Sequence, residues 1–155
     1  RAGRLMKDEP VTHTVASTFM RAYMTGQAVA RATATHLSVN LNIVERKFGY
    51  RFGTPNHDLD WAEDPPGGES MQEFIDRTRL GVMQACALGP CPAIVAHGGN
   101  LRVIAAGLGT DLPDGSVGNA TPLKFTRNGG KWVLEFVGGI AAVTSTASAS
   151  TTAVS

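Results

Sequence analysis

A short apolar strand that runs into a histidine and then into a helix constrains this chain more than any other feature. Residues 92–96 are apolar and typical of a buried strand, and residues 101–106 have the composition of a helix start. In open α/β sheets, ligands gather at the carboxyl ends of strands, and unpaired N–H groups at a helix N-terminus attract anions. His97 therefore lies where a phosphate group would bind, although a histidine hydrogen-bonded within a loop or core explains the same short pattern.

The composition indicates a single globular domain and excludes several classes of partner. The chain has 155 residues, of which 43% are hydrophobic, and a net charge of +1. This charge gives no electrostatic basis for binding nucleic acid or an anionic membrane. No apolar run is long enough to span a bilayer, and residues 1–7 lack the apolar core of a signal peptide. We therefore expect a cytoplasmic protein that binds neither nucleic acid nor membrane.

The cysteines indicate no metal site. Cys86 and Cys91 flank an Ala-Leu-Gly-Pro turn and do not have the spacing of zinc ligands. We expect both to be small buried hydrophobic residues or free thiols. No metal ion and no cofactor are predicted for this chain.

Helix and strand patterns alternate along the chain, which predicts an α/β fold. Residues 140–155 are almost all Ala, Ser, Thr and Val, so we expect a low-complexity tail after a domain of residues 1–139. The predicted strands or extended segments are 11–17, 37–43, 92–96, 122–126 and 132–137, and the predicted helices are the end of one at 2–8, then 20–36, 70–88 and 100–107.

The clearest predicted helix begins at Ser70. Ser70 and Glu73 have the spacing of a capping box, and Glu69 is expected to stabilise the same helix start. Apolar residues recur at helical spacing from Met71 to Val82 and predict one buried face. Pro and Gly residues that precede Glu69 form a polar loop, so ordinary capping explains this segment without a functional role.

Two charged residues upstream of His97 are further candidates. Arg21 lies in the first turn of the helix that follows a strand, where its guanidinium could bind phosphate bidentately. A surface arginine explains that segment as well. Glu45 precedes a glycine turn, where a carboxyl group could protonate a leaving-group oxygen. Taken alone, that segment favours a solvated glutamate paired with Arg46 or Lys47.

Taken in order, four motifs resemble those of the histidine phosphatase superfamily, also called phosphoglycerate mutase-like. The resemblance covers about residues 11–137, and the ordered run is specific although each motif alone is weak. The motifs are Ser17-x-x-x-Arg21-Ala22-x-x-Thr25, Glu45-x-x-Phe48-Gly49, Pro66-Gly67-Gly68-Glu69-Ser70 and His97-Gly98-Gly99-x-x-Arg102.

The resemblance implies a three-layer α/β/α fold, with helices on both faces of a mostly parallel sheet, and a phosphohistidine mechanism. It implies that Arg21, His97 and Gly98 hold the transferring phosphoryl group of a small phosphorylated substrate. Glu45 would protonate the leaving oxygen. In the family, a first histidine in an Arg-His-Gly motif attacks the phosphorus atom.

The chain departs from the family because it contains no Arg-His-Gly motif. The remaining histidines, His13, His36 and His57, lack the family context of the nucleophile. We therefore expect the nucleophilic histidine upstream of Arg1, and we expect the 155-residue polypeptide alone to be unstable or inactive. Without the first strand, which lies inside the sheet in the family, neighbouring strands would expose backbone N–H and C=O groups.

Three functions stay open. Only residues 46–64 separate Glu45 from the proline-glycine motif. Mutases of the family usually carry a longer insertion there, so the short connection favours a monoester phosphatase over a phosphoglycerate mutase-type phosphotransferase. A non-catalytic phospholigand-binding relative would explain the missing nucleophile but has little use for a leaving-group acid. The sequence identifies neither the substrate nor the oligomeric state.

Overall fold

The computed structural model describes residues 1–51, 53–54, 58–113 and 116–138. Within them, four α-helices, five strands and two 3₁₀ turns follow one another along the chain. The elements are α1 (Ala2–Met6), β1 (His13–Ser17), α2 (Met20–Thr33), β2 (Leu37–Asn40), the 3₁₀ turns Leu41–Ile43 and Gly49–Arg51, α3 (Met71–Cys86), β3 (Pro92–Val95), α4 (Gly98–Leu108), β4 (Leu123–Asn128) and β5 (Lys131–Phe136).

Strands β1, β2 and β3 form a parallel sheet with β1 in the centre, in the order β2-β1-β3. In this register Ala16 of β1 lies beside Val39 of β2 and Val95 of β3. The three carboxyl ends therefore meet at one edge of the sheet. Strands β4 and β5 form a separate antiparallel hairpin, with Gly129 and Gly130 as its two-residue turn, as the Asn-Gly-Gly sequence predicts.

The helices cover both faces of the parallel sheet. The connections β1–α2–β2 and β2–α3–β3 run in opposite directions across the sheet, so right-handed crossovers place α2 and α3 on opposite faces. Helix α1 packs against α2, and α4 packs against α3. The predicted three-layer α/β/α architecture is confirmed.

Helix α3 has the buried face that the sequence predicts. Its fully or nearly fully buried positions, Phe74, Thr78, Gly81 and Ala85, recur at helical spacing. Ile43 packs so closely on this face that a Cβ at Gly81 would lie 2.6 Å from the Ile43 Cγ2. The capping box is also confirmed, because Ser70 accepts a hydrogen bond from the Glu73 backbone N–H while the Glu73 carboxylate accepts one from that of Ser70.

Two predicted boundaries are wrong for local reasons. Helix α2 ends at Thr33 and not at residue 36, because Ala34 adopts a left-handed conformation (φ 53°) that closes the helix. The extended segment predicted over 37–43 stops at Asn40, whose side chain accepts a hydrogen bond from the Asn42 backbone N–H at 2.7 Å. This bond stabilises the following 3₁₀ turn in place of a longer strand.

Some predictions need a narrower statement. Both cysteines are free thiols, which is one of the two predicted alternatives; the other, a small buried hydrophobic residue, is wrong for Cys86, which is exposed. The predicted tail, residues 140–155, and His57 lie outside the described residues. No helix in the described part of the chain is long and apolar enough to cross a membrane.

Candidate active site

His97 lies at the junction of β3 and α4, at the carboxyl edge of the parallel sheet. Its Nε2 is hydrogen-bonded to the Oγ of Ser17, the last residue of β1, at 2.9 Å. Its ring packs edge-to-face on Phe19, with 5.2 Å between the ring centroids. The ring is thus held by two residues that link β1 to α2, and it lies beside the start of both following helices.

Asn100 fixes the backbone beneath this histidine. Its Oδ1 accepts a hydrogen bond from the His97 backbone N–H at 3.2 Å, while its side-chain nitrogen donates to the Val44 carbonyl and the Thr78 hydroxyl. The side chain is fully buried, so each of these polar contacts offsets a desolvation cost. Sequence reasoning missed Asn100, and its only local signal is a polar residue in the first turn of an otherwise apolar helix.

Arg21 lies in the first turn of α2, as predicted, and is close to His97. Its guanidinium lies over the Phe19 ring, 5.1 Å from the centroid, and Phe19 is the same ring that packs on His97. It is solvent-exposed and makes no ion pair with any residue in the described ranges. Its positive charge is therefore available to an anion bound beside His97.

Glu45 contacts the same helix start. Its Oε2 accepts a hydrogen bond from the Gly99 backbone N–H at 3.3 Å, and its Oε1 accepts one from the backbone N–H of Arg46 at 3.0 Å. The interpretation of Glu45 as a solvated partner of the Arg46 or Lys47 side chain is therefore wrong. The candidate proton donor therefore contacts α4 at Gly99, two residues after His97.

Glycines make this approach possible. A Cβ at Gly99 would lie 2.3 Å from the Glu45 Oε1, far inside any real contact. A Cβ at Gly98 would lie 2.6 Å from Cγ1 of Val117, whose loop covers the helix start. Gly98 is the first residue of α4, where backbone N–H groups have no acceptor within the helix. Its N–H is available for the phosphate contact predicted from the sequence.

Arg77 of α3 holds the Glu45 segment in place. Its guanidinium donates to the carbonyl oxygens of Asn42, Val44 and Glu45. It also forms a largely buried ion pair with Glu69, whose other hydrogen bond comes from the Lys47 backbone N–H.

The expectation that Glu69 stabilises the start of α3 is wrong, because its carboxylate turns to Arg77 and Lys47 while Ser70 and Glu73 form the cap. The only sequence signal for this pair is the opposite charge of Glu69, just before α3, and Arg77, eight residues further along within α3.

Burial, the largest cause, and the positive charges of Arg21 and then Arg77 together lower the pKa of His97 to about 4. The imidazole is therefore neutral at pH 7. Two nearby cations and the N-terminus of α4 make this edge of the sheet electropositive. An anion bound there would relieve the repulsion between His97 and both arginines, and would favour protonation of the ring.

The other described histidines lie elsewhere. His13 begins β1, at the amino edge of the sheet, and its ring centroid is 5.3 Å from that of His36. Both rings lie away from the carboxyl edge, which agrees with the prediction that neither histidine is the nucleophile. Among the described residues, no group of three or more His, Cys, Asp or Glu side chains could hold a metal ion.

Comparisons with known proteins show the same fold. A solved structure of a mycobacterial glucosyl-3-phosphoglycerate phosphatase complexed with VO3 is 25% identical, with a TM-score of 0.62 over 87% of this chain and 79% of that one. A mycobacterial hydrolase is also 25% identical, with a TM-score of 0.64 over 86% of this chain and 79% of that one.

A curated relative, agropine synthesis reductase of Rhizobium rhizogenes, is 29% identical over 134 residues, which are 86% of this chain. The match spans 30% of the length of that relative. Residues 1–138 match the histidine phosphatase superfamily (branch 1). With its fold, its four motifs and the convergence of Arg21, Glu45 and His97, the chain belongs to the histidine phosphatase superfamily.

Proposed function

We propose that this chain carries most of the active site of a phosphomonoester hydrolase that works through a phosphohistidine intermediate. The observation that carries the proposal is the meeting of three elements at the start of α4. The His97 ring, the Arg21 guanidinium and the Glu45 carboxylate come from three separate segments and converge there. A cation, a neutral imidazole and a carboxyl group around a helix N-terminus suit phosphoryl transfer, which depends on positioning and charge stabilisation.

Each residue has a distinct role in this proposal. Arg21, His97 and the Gly98 N–H bind the oxygens of the transferring phosphoryl group. A nucleophilic histidine nitrogen forms a bond to phosphorus while the ester P–O bond breaks, and Glu45 gives its proton to the departing alcohol oxygen. Water then attacks the phosphohistidine and loses a proton to Glu45, which releases inorganic phosphate and restores the free histidine.

We propose that the nucleophile is supplied by residues upstream of Arg1. In the described part of the chain, β3 pairs on one edge alone, with β1. Helix α1 packs against α2 and therefore lies on the same face of the sheet. A right-handed crossover through α1 into β1 runs in the same direction as the crossover from β1 to β2, so it would start from a strand on the far side of β3. The carboxyl end of such a strand would lie beside His97. This topology supports a preceding strand that carries the attacking histidine.

Two alternatives are weaker. A phosphoglycerate mutase-type transferase would return the phosphoryl group to a second substrate, and the short segment over residues 46–64 favours an open site that water can reach. A phospholigand-binding relative without catalysis would not need a carboxylate held against the helix start by Gly99. The proposed substrate is a small phosphomonoester.

The deciding experiment uses the protein with its natural N-terminus, identified by intact mass and N-terminal sequencing. Rapid quenching with a ³²P-labelled monoester should trap an acid-labile, alkali-stable label on a histidine upstream of Arg1, together with release of inorganic phosphate. Transfer of the label to an added phosphoglycerate, without net phosphate release, would favour the mutase. Label on a residue within 1–155, or no turnover at all, would overturn the proposal.

A further inference from the structure

We infer that this site selects monoesters whose alcohol carries a bulky apolar group, such as a phenyl ring. The inference rests on the proposed function and adds the class of leaving group. It is carried by a cleft of about 560 Å³ that opens beside Gly98 and Gly99, at the start of α4. This volume is in the range of pockets that enclose small organic ligands.

The described residues that line the cleft are mostly apolar. Two of these residues are Gly98 and Gly99, and Arg102 is the single charged residue among them. A polyhydroxylated alcohol would leave hydroxyl groups without partners on such walls, which costs affinity. An aryl or branched alkyl group would instead exchange water for apolar contact. The apolar side chains are Trp61, Met71, Phe74, Val103 and Val117.

The cleft lies directly beside the candidate proton donor. At Gly99, a Cβ would lie 3.0 Å from the Phe74 Cζ and 3.0 Å from the Trp61 Cη2, as well as 2.3 Å from the Glu45 Oε1. Both aromatic rings and the carboxylate thus converge on one backbone position. An alcohol whose oxygen receives a proton from Glu45 must extend its carbon skeleton from this position, and the aromatic rings are the walls that it meets there.

The Trp61 wall is held by buried contacts, although it belongs to a loop. The Arg46 guanidinium, in a residue only 3% exposed, donates to the carbonyl oxygen of Trp61 at 2.6 Å and to that of Glu63 at 3.0 Å. Phe48 packs edge-to-face on the indole, with 5.0 Å between centroids. This buried cation fixes the loop, because releasing the loop would deprive the charge of the carbonyls of Trp61 and Glu63 and of the Asp64 carboxylate.

The test uses the protein with its natural N-terminus and compares two substrates that differ in the apolar group alone. Propyl phosphate and 3-phenylpropyl phosphate release alcohols of nearly equal acidity, so the bond-breaking step is matched. We expect kcat/KM for the phenyl ester to be higher by about tenfold or more, the range that added apolar groups contribute in enzyme pockets. Trp61→Ala should reduce this ratio severalfold. The matched control is Trp132→Ala in the β4–β5 hairpin, outside the cleft, which should leave it unchanged.

The possible outcomes separate the inference from the function on which it rests. Hydrolysis of both esters with equal kcat/KM would overturn the inference and leave the phosphatase intact. Failure to hydrolyse either ester would count against the proposed function itself. If thermal unfolding shows that Trp61→Ala is misfolded, Val117→Ser replaces it, because Val117 lines the cleft and is 43% exposed. An unchanged ratio of the two kcat/KM values in that variant would equally overturn the inference.

Discussion

Two histidine–serine pairs lie at opposite ends of the same parallel sheet, and only one of them belongs to the candidate site. His97 is hydrogen-bonded to the Ser17 hydroxyl at 2.9 Å, and His13 is hydrogen-bonded to the Ser38 hydroxyl at 3.0 Å. The residue types and distances are nearly the same. The hydrogen-bonded pair by itself therefore does not distinguish the two ends of the sheet, and the surroundings of each pair make the difference.

Those surroundings follow from strand direction. At the carboxyl edge, α2 and α4 begin, so their positive N-termini and Arg21 face His97. At the amino edge, His13 meets the ring of His36, just after the C-terminal end of α2. Parallel strands place all helix starts on one side, which is why anion sites gather there.

The largest expected difference between the two ends is in catalysis. If the proposed function holds, His97→Gln should lower kcat/KM of the protein with its natural N-terminus by about 10³-fold, the upper range for removal of one group that stabilises a transition state. His13→Gln, the matched change at the amino edge, should alter kcat/KM by less than about threefold, since surface or non-site substitutions act through stability alone. Steady-state phosphate release measures both, and equal losses would show that the two ends do not differ as described.

A second comparison lies within α4, between a glycine at the site and a glycine away from it. Gly99→Ala should destabilise the fold by about 1–3 kcal/mol, because the new Cβ would overlap the Glu45 carboxylate and the Phe74 ring. Gly107→Ala meets nothing within 4 Å and should raise stability by about 0.5–1 kcal/mol through helix propensity. Urea unfolding gives both values. A Gly99 variant as stable as the wild type would mean that Glu45 does not lie against the helix start.

The smallest expected effect is on proton binding. The pKa of His97 is lowered to about 4 in the folded chain against an ordinary value of 6.5, so the unfolded chain binds more protons between these values. Stability should therefore fall as pH drops from 6.5 towards 4, and less steeply in His97→Gln. NMR titration of the ring should also find that inorganic phosphate raises the pKa of His97. A midpoint near 6.5 without phosphate would contradict the burial of the His97 ring and its electropositive surroundings.

Local sequence determined the elements whose stabilising contacts are local. The capping box at Ser70, the buried stripe of α3 and the Gly129–Gly130 hairpin turn depend on residues within a few positions of each other. The order of the four motifs also points to Arg21, Glu45 and His97 as candidate site residues. The wrong boundaries near Ala34 and Asn40 arose where one backbone conformation or one side-chain hydrogen bond outweighed average propensity.

Tertiary structure alone decided how these residues meet. Ser17 reaches His97 across 80 positions of sequence, and the Glu45 carboxylate reaches the Gly99 N–H across 54. Only the structure shows which further residues support the candidate site, because the fold brings their carbonyl and carboxylate partners to them. These residues are Arg46, Asn100 and the Arg77–Glu69 pair. The sequence by itself determined which groups with suitable chemistry are present. Close packing at the carboxyl edge of the sheet decided the distances between them. Contacts between distant segments leave no periodic pattern in the chain, and the sequence therefore could not predict those distances.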